Sequence, residues 1–361
     1  MHYFFSRACK RLHQGDNMAA TIKDIAREVG VNPSTVSRVI NGTASISEET
    51  KAKIRKVMQE LDYHPNSQAR GLVNGSTFTI GLVMDAGNKN AFSNTFFINS
   101  VSAIEMIAQE RGYNVLILND YDHSNGNSVK NLVLEHKVDG IILPVQSMNH
   151  ELIKLMEAQK IPFVVMGEPE QKEGPMFWVD IDNQGGCEFA VEHLLRCGYE
   201  KPVLFIENKE KIFEKKRCRG FVESYKNRNL SLNEEYIIEC GNDIVRIRDE
   251  IRRITEGKLD ADSVICTNNI VAHRVLKELK KGGKKIPEEI GVITFDNYPL
   301  AKYLEPALSA VDIDTYRMGE VAATMLFDQI KNKGQIPKGK LVKTKVISRE
   351  STRKGENTRI D

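Results

Sequence analysis

The chain has 361 residues, 41% apolar and 28% charged, with a net charge of +2. That length exceeds one average domain and that balance suits a globular protein with a sizeable core, so two or three domains are expected. No apolar run approaches the roughly 20 residues that span a bilayer, and the first 17 residues lack the apolar stretch of a secretory signal; a cytoplasmic protein with no membrane partner is expected.

Residues 1–17, MHYFFSRACKRLHQGDN, read as a disordered extension, with Met18 as an alternative start. The six cysteines (Cys9, Cys187, Cys197, Cys218, Cys240, Cys266) show neither CxxC nor His/Cys metal spacing. Buried thiols in a reducing compartment are expected, with no metal and no cofactor. Residues 1–77 carry 11 Lys and Arg against 7 Asp and Glu. This mild excess is compatible with DNA contact at that end without establishing it.

Residues 18–65 carry three short helical patterns, each with its own stop signal. Thr21 and Asp24 form a T-x-x-D capping box for the first. Ile22, Ile25, Ala26 and Val29 recur at helical spacing and should face a small core, and Gly30 supplies a left-handed C-terminal residue. Asn32 caps the second helix with Pro33 at its first position, where a missing N–H costs nothing. Val36, Val39 and Ile40 form its buried stripe, leaving Pro33, Ser34, Ser37 and Arg38 outward, and Asn41-Gly42 ends it. Ser47 caps the third helix, Glu48 and Glu49 suit its positive end, and Ile54, Val57, Met58 and Leu61 form its core face.

This is the layout of a helix-turn-helix DNA reader, whose second helix enters the major groove N-terminal end first. Arg38 suits a bidentate contact to guanine, and Ser34 and the Pro33 ring suit base edges or a thymine methyl. Thr35, Ser37 and Asn41, with Thr21 at the domain start, suit contacts that position the protein. The competing reading is a three-helix bundle that binds a protein.

Residues 66–76 follow as a hinge and linker. Asn66 caps a helix of about two turns, too short to be stable alone, and Gly71 costs roughly another 1 kcal/mol relative to Ala. A segment helical only when docked is expected, with Asn66, Ala69 and Arg70 among its DNA contacts and Leu72 as a minor-groove wedge. An ordinary interdomain linker is the alternative.

From Phe78 short apolar runs alternate with amphipathic helices. The runs are 79–84, 113–118, 138–143, 161–166, 202–206, 263–267 and 291–295; helices are expected over 98–111, 149–158, 184–197 and 270–281. Such alternation implies parallel sheets covered on both faces. The fold class expected is therefore an N-terminal all-α helix-turn-helix domain plus an α/β core of two doubly wound lobes, with ligand in the crevice outside the strand ends. There is no G-x-G-x-x-G, no Walker A motif and no nucleophile or paired-carboxylate motif, so no enzyme is expected.

The stretch TIKDIAREVGV…STVSRVING…ISEETKAKI…LDYHPNSQARGL closely resembles the lactose/galactose repressor (LacI/GalR) family. The resemblance continues through VDIDNQGG (179–186), HLLRCGY (193–199), RCRGF (217–221), TNN (267–269), KKIPEEIGVITFD (284–296) and SREST (348–352). It implies a periplasmic-binding-protein-like core holding a small effector, and hinge helices that pair and lever open the minor groove with the leucine matching Leu72. It also implies effector contacts from Arg217, Asn268 and Asp296, with Asp182 from the VDIDNQGG element. Asp85 and the AFSNTFF segment should line the other side, where Phe96 and Phe97 either stack on a sugar face or pack in the core. GLVM…AFSNTFF and VVMGEP (164–169) resemble the maltose-operon repressor branch of Gram-positive bacteria. Thr294, Asn269, Asn94-Thr95 and Asp314 depart from common family residues at the cleft rim or crossovers, so the effector can differ from a relative's.

The core is expected to span 77–352, with the first lobe at about 77–178 and 310–337 and the second at about 179–309 and 338–352. The charged tail 353–361 has no leucine heptad, so a homodimer is the default. The reading is a repressor of a carbohydrate operon that binds a pseudo-palindromic DNA operator and answers to a small sugar, with maltose or a maltodextrin suspected. The alternatives are a family regulator with a non-sugar effector or protein corepressor, and a solute-binding protein or enzyme on the same fold.

Overall fold

The computed structural model describes residues 20–41, 46–63, 75–85, 95–120, 127–169, 174–229, 231–332 and 334–354. The chain divides into two units, residues 1–78 and 79–361. The expected extension at 1–17, the Asn66–Leu72 hinge and most of the charged tail lie outside the described residues.

In the first unit three helices form, α1 (Ile22–Val29), α2 (Pro33–Asn41) and α3 (Glu48–Glu60). Each start is set locally. Asp24 Oδ2 accepts from the Thr21 N–H and hydroxyl at 3.1 and 2.7 Å. Asn32 Oδ1 accepts from the Ser34 N–H at 3.3 Å, and Ser47 Oγ from the Thr50 N–H at 3.3 Å. Gly30 ends α1 at φ 75°, where its N–H reaches the Ala26 carbonyl at 3.0 Å; that left-handed backbone suits glycine. Ile25, Ala26, Val36 and Ile54 are the buried centre, ringed by Ile22, Val29, Val39, Ile40, Val57 and Met58. Leu61 was expected in this core and is instead exposed, because α3 ends at Glu60 and Tyr63 packs against the core beyond it.

The second unit alternates strands and helices: β1 (Thr79–Asp85), α4 (Thr95–Glu110), β2 (Asn114–Asp120), α5 (Asn127–Leu134), β3 (Gly140–Pro144), α6 (His150–Ala158), β4 (Phe163–Met166) and β5 (Trp178–Ile181). Then come α7 (Asn183–Arg196), β6 (Pro202–Ile206), α8 (Ile212–Lys226), β7 (Ile237–Glu239), α9 (Ile244–Thr255), β8 (Ser263–Cys266), α10 (Asn269–Lys281) and β9 (Gly291–Phe295). The last elements are β10 (Ser309–Asp312), α11 (Thr315–Lys331), β11 (Gly339–Val342) and β12 (Lys345–Ile347).

Two six-stranded sheets result, ordered β11-β5-β4-β3-β1-β2 and β12-β10-β9-β8-β6-β7. Every neighbouring pair is parallel except β10 with β12. β6 and β9 are buried at every position, as parallel strands covered on both faces must be. This is the two-lobed α/β architecture expected.

The lobe limits need correction. Val179–Ile181 belong to β5 in the first sheet, not to the second lobe. Residues 310–312 lie in β10 (Ser309–Asp312) of the second sheet, not in the first lobe. β11 at Gly339–Val342 returns to the first sheet, although residues from 338 were expected in the second lobe. The chain thus crosses at 182, at 313–314 and at 343–344. The shifts have one cause: each crossover is only one or two residues long, too short to interrupt the sequence pattern, so hydrophobic runs do not mark where one sheet ends.

In the first lobe α11 packs against α4 at very close range. Ser100 Oγ donates to the Thr315 carbonyl at 2.9 Å. A Cβ on Gly319 would sit 2.9 Å from Ser100 Cα and closer still to its carbonyl oxygen. Gly→Ala inside a helix ordinarily gains about 0.5–1 kcal/mol. Here the overpacking cost of about 1–3 kcal/mol decides the sign, so Gly319→Ala is expected to lower stability. Urea unfolding of the full chain checks this; an unchanged or raised midpoint would show that the helices can separate freely.

Candidate functional site

In the first unit, the end of α2 that would meet a groove is open. Pro33, Ser34 and Arg38 are exposed, and Thr35 and Ser37 are half-buried at the edge of the core. Arg38 makes no ion pair among the described residues, so its five donors stay available. Thr21 stands exposed at the α1 start with its hydroxyl engaged by Asp24. Asn41 closes α2, and its side chain lies outside what is described, as do Asn66, Ala69, Arg70 and Leu72.

In the second unit, a cleft of about 1260 Å³ opens between the two sheets, outside the carboxyl ends of their strands. Doubly wound sheets place ligands there. Its two walls differ. The first lobe offers a mainly apolar wall that includes Leu82, Phe97, Ile104, Val145 and Met166, with Glu168 and Asp180 at one side. The second lobe offers a wall whose polar groups stand at successive strand ends, Glu207 after β6, Asn242 beyond β7, Thr267 and Asn268 after β8, and Asp296 after β9, with Phe213, Ile270, Tyr298 and Leu300 beside them.

Arg217 is the centre of that wall. It is only 6% exposed, and a cation so buried needs partners. Its Nε donates to Asn183 Oδ1 at 2.9 Å and its Nη1 to the Thr267 carbonyl at 2.6 Å. The guanidinium carbon lies 3.9 Å from the Phe295 ring centroid and 4.9 Å from that of Phe213. The planar cation is therefore stacked as well as bonded, while Nη2 has no partner among the described residues. Gly220 makes this possible: a Cβ there would strike the Gln184 carbonyl, so only glycine lets α8 lie on α7 and bring Arg217 to Asn183.

Glu207 is the polar hub. It accepts from Asn242 Nδ2 at 3.2 Å and Asn268 Nδ2 at 3.4 Å, and pairs with Lys211 at 3.0 Å. Beneath it lies Glu214, fully buried. Glu214 Oε1 accepts from the Glu207 N–H at 3.0 Å and the Thr267 hydroxyl at 2.8 Å, while Oε2 has no partner. Burial raises the Glu214 pKa above the ordinary carboxylate value, against the opposing pull of the Arg217 charge. Burial likewise lowers that of Arg217, opposed first by Glu214.

The residues expected from the sequence divide. Arg217, Asn268, Asp296 and Phe97 all line the cleft. Asn268 does double duty, because its Oδ1 also caps α10 through the Val271 N–H at 2.8 Å. Asp296 holds φ 74°, a left-handed backbone that costs a non-glycine residue about 1–3 kcal/mol and gathers at binding sites. Asp182 does not line the cleft. It caps α7 by accepting from the Gly185 N–H at 2.9 Å, and its neighbour Asn183 takes the cleft position. The side chains of Asp85 and Phe96 lie outside what is described. Sequence reasoning missed Phe213, which sits one helical turn before Arg217, and that i, i+4 spacing was the available signal.

Among the departures noted in the sequence, Thr294 is fully buried in β9 with its hydroxyl on the Phe295 carbonyl at 2.9 Å. Asp314 caps α11 at the second crossover. Asn269 lines the cleft. Burial pushes the Cys218 and Cys240 thiols up to about 11 and about 12, which suits inert core residues. Among the described residues no helix is long and apolar enough to cross a membrane.

Comparison with known proteins fits this geometry. Residues 21–66 match the bacterial regulatory proteins of the lacI family, and residues 191–352 match the periplasmic binding protein-like domain. The HTH-type transcriptional regulator MalR of Streptococcus pneumoniae (strain TIGR4) is 31% identical over 92% of this chain and 100% of its own length. The HTH-type transcriptional repressor PurR of Aliivibrio fischeri (strain MJ11) is 29% identical over 92% of this chain and 98% of its own. The solved structure of a probable maltose operon transcriptional repressor from Staphylococcus aureus superposes with a TM-score of 0.68 at 21% identity, over 78% of this chain and 99% of that one.

The buried Glu214 carboxyl has a stability consequence with a definite sign. Its folded pKa is raised, so its contribution is full below the unfolded value and is lost as pH rises through the folded value. Glu214→Gln cannot ionise and is expected to lose less stability than the parent between about pH 5 and about pH 8. Urea midpoints of both proteins at the two pH values check this; a constant difference between them would show that Glu214 ionises freely in the fold.

Proposed function

The chain belongs to the lacI family of bacterial regulatory proteins, whose members are transcriptional regulators, and from that premise we propose that it is a repressor governed by a small sugar held in the cleft. The observation that carries the proposal is the pairing of two unlike walls around a stacked, half-satisfied Arg217. A sugar has ring faces of C–H groups and a rim of hydroxyls. Phe97 and the apolar wall suit the faces. Arg217, Asn268, Asp296 and Glu207 suit the rim, since paired donors and acceptors grip vicinal hydroxyls. Maltose or a maltodextrin is the proposed effector, supported by the likeness to MalR and to the maltose operon repressor fold.

In this reading the protein works as a homodimer on a pseudo-palindromic operator, with α2 of each protomer in a major groove. Arg38 reads a guanine, Pro33 and Ser34 meet base edges, and Thr21, Thr35, Ser37 and Asn41 position the helix on phosphates. Asn66, Ala69, Arg70 and Leu72 engage the minor groove between the half-sites. The sugar lowers operator affinity because it binds the two lobe arrangements unequally, typically by about 1–3 kcal/mol. A second reading, a purine-type effector, is favoured by the likeness to PurR.

One titration separates the readings: fluorescence anisotropy of a palindromic operator with the full chain at fixed salt, adding maltose, maltotriose or hypoxanthine. Release by a maltodextrin supports the proposal. Indifference to both sugars with a response to hypoxanthine replaces it. Arg217→Ala is expected to keep operator binding and lose the response, and a normal response would remove Arg217 from the site. Arg38→Ala is expected to cost about 1–3 kcal/mol and to relax preference at one base pair per half-site. Binding to a panel of operator variants reads that out, and unaltered preference would assign Arg38 to the phosphates.

A further inference from the structure

Next to Arg217 on α8, Lys216 points away from the cation's partners and spans the two lobes. Its ammonium reaches Glu168 Oε2 at 2.5 Å and Asp180 Oδ2 at 3.0 Å. Lys216 belongs to the second lobe, whereas Glu168 follows β4 and Asp180 lies in β5 of the first. The Lys216 and Asp180 side chains are largely withdrawn from water, at 17% and 11% exposed, and that of Glu168 is 39% exposed. The Glu168 N–H donates to Asp180 Oδ2 at 3.1 Å, and the Ile181 N–H to Asp180 Oδ1 at 2.8 Å. The Asp180 carboxylate is thus fixed in place, and the Glu168 carboxylate meets it across a single cation. Asp180 stands two residues before the first crossover, so the bridge ties the lobes beside the strand about which they would turn.

Glu168 and Asp180 also line the cleft. Glu168 has one oxygen on Lys216, and its Oε1 has no partner among the described residues. A ligand hydroxyl that donates to Oε1 from the first lobe while Arg217 grips it from the second would favour the arrangement in which the bridge is closed. Partly buried ion pairs respond strongly to loss of one partner, because the remaining charge keeps its desolvation cost. Here the loss of Lys216 would leave two carboxylates side by side.

We propose that Lys216, Glu168 and Asp180 form an interlobe latch that selects the lobe arrangement, and that Glu168 is a further effector contact through which a hydroxyl-bearing ligand reads the state of that latch. The inference rests on the regulatory reading of the cleft. It names a positioning residue, Lys216, and a ligand contact, Glu168, that the sequence did not single out.

The experiment is an interlobe distance measured without any sugar, so that failure of the maltodextrin reading leaves it intact. Spin labels are placed by bio-orthogonal side chains at Lys154 on α6 and Lys277 on α10, both exposed, and labelled chain is diluted with unlabelled chain to give one labelled protomer per assembly. Lys216→Met is expected to broaden the distance distribution and shift its centre by about 2 Å or more, a change of the size seen in lobe rearrangements. Lys216→Arg, which keeps the cation, should retain the parent distribution. Glu168→Gln removes one of the two anions at a partly exposed position and should give a smaller shift in the same direction; it keeps the test decisive if the Met variant folds poorly. Distributions in Lys216→Met or Glu168→Gln that match the parent would overturn the latch. So would a shift in Lys216→Arg as large as in Lys216→Met, because it would mean that packing, not charge, sets the arrangement.

Discussion

Much of the second unit follows from the need to bury one guanidinium. Arg217 has left water almost completely, and an isolated cation in such a place would cost more than a fold of this size can spare. The solution uses every kind of partner available to it: an amide oxygen from the start of α7, a carbonyl at the end of β8, and two aromatic faces. Each partner comes from a different element. The cation therefore fixes the mutual placement of α7, α8, β8 and β9 where the cleft opens. Gly220 is a consequence of the same requirement, making room for α8 to approach.

The same arrangement explains how a binding site can also be a switch. The polar wall is rigid, because Glu207, Asn242, Asn268 and Lys211 already satisfy one another before any ligand arrives. The apolar wall belongs to the other lobe. A ligand touching both is sensitive to the angle between them, whereas a ligand held by one wall alone would bind every arrangement alike and shift nothing. Lys216 adds a direct ionic tie across the same gap. In the proposed reading, affinity and control thus draw on Arg217 and Lys216, neighbouring residues of one helix turn.

Local rules were the most legible part of the sequence. Helix starts at Thr21, Asn32 and Ser47 depend on side chains within three residues, and Gly30 ends α1 for a reason visible in its own identity. The central strands were legible because burial on both faces leaves them almost no polar residue. The short strands β5, β7, β10, β11 and β12 were not picked out, and two of them carry exposed edge residues such as Lys340 and Lys345. Leu61 misled because helical spacing continues past the point where the backbone stops being helical. Asp182 and Asn183 show the limit most clearly. They are adjacent, and both carry plausible chemistry. Only the geometry of the α7 start decides which of them turns inward. The Lys216 bridge joins residues 36 and 48 positions apart in different lobes, and no spacing rule announces such a pair.

The three passages of the chain between the sheets have a consequence for how the protein is made. The first lobe is not finished when residues 79–181 leave the ribosome. It still lacks α11, whose Gly319 seats it on Ser100, and the edge strand β11, which pairs with β5. Both come from beyond residue 314, after the whole middle of the second lobe. Until then α4 has no covering helix and β5 has an open edge. The first lobe cannot be completed during synthesis until most of the second has been made, so a nascent chain stopped anywhere between β6 and β11 holds two unfinished sheets in place of one finished lobe. The DNA-reading unit carries its whole core between Ile22 and Tyr63 and has no such wait. During each round of translation there is an interval in which the reader is complete and the part that controls it is not.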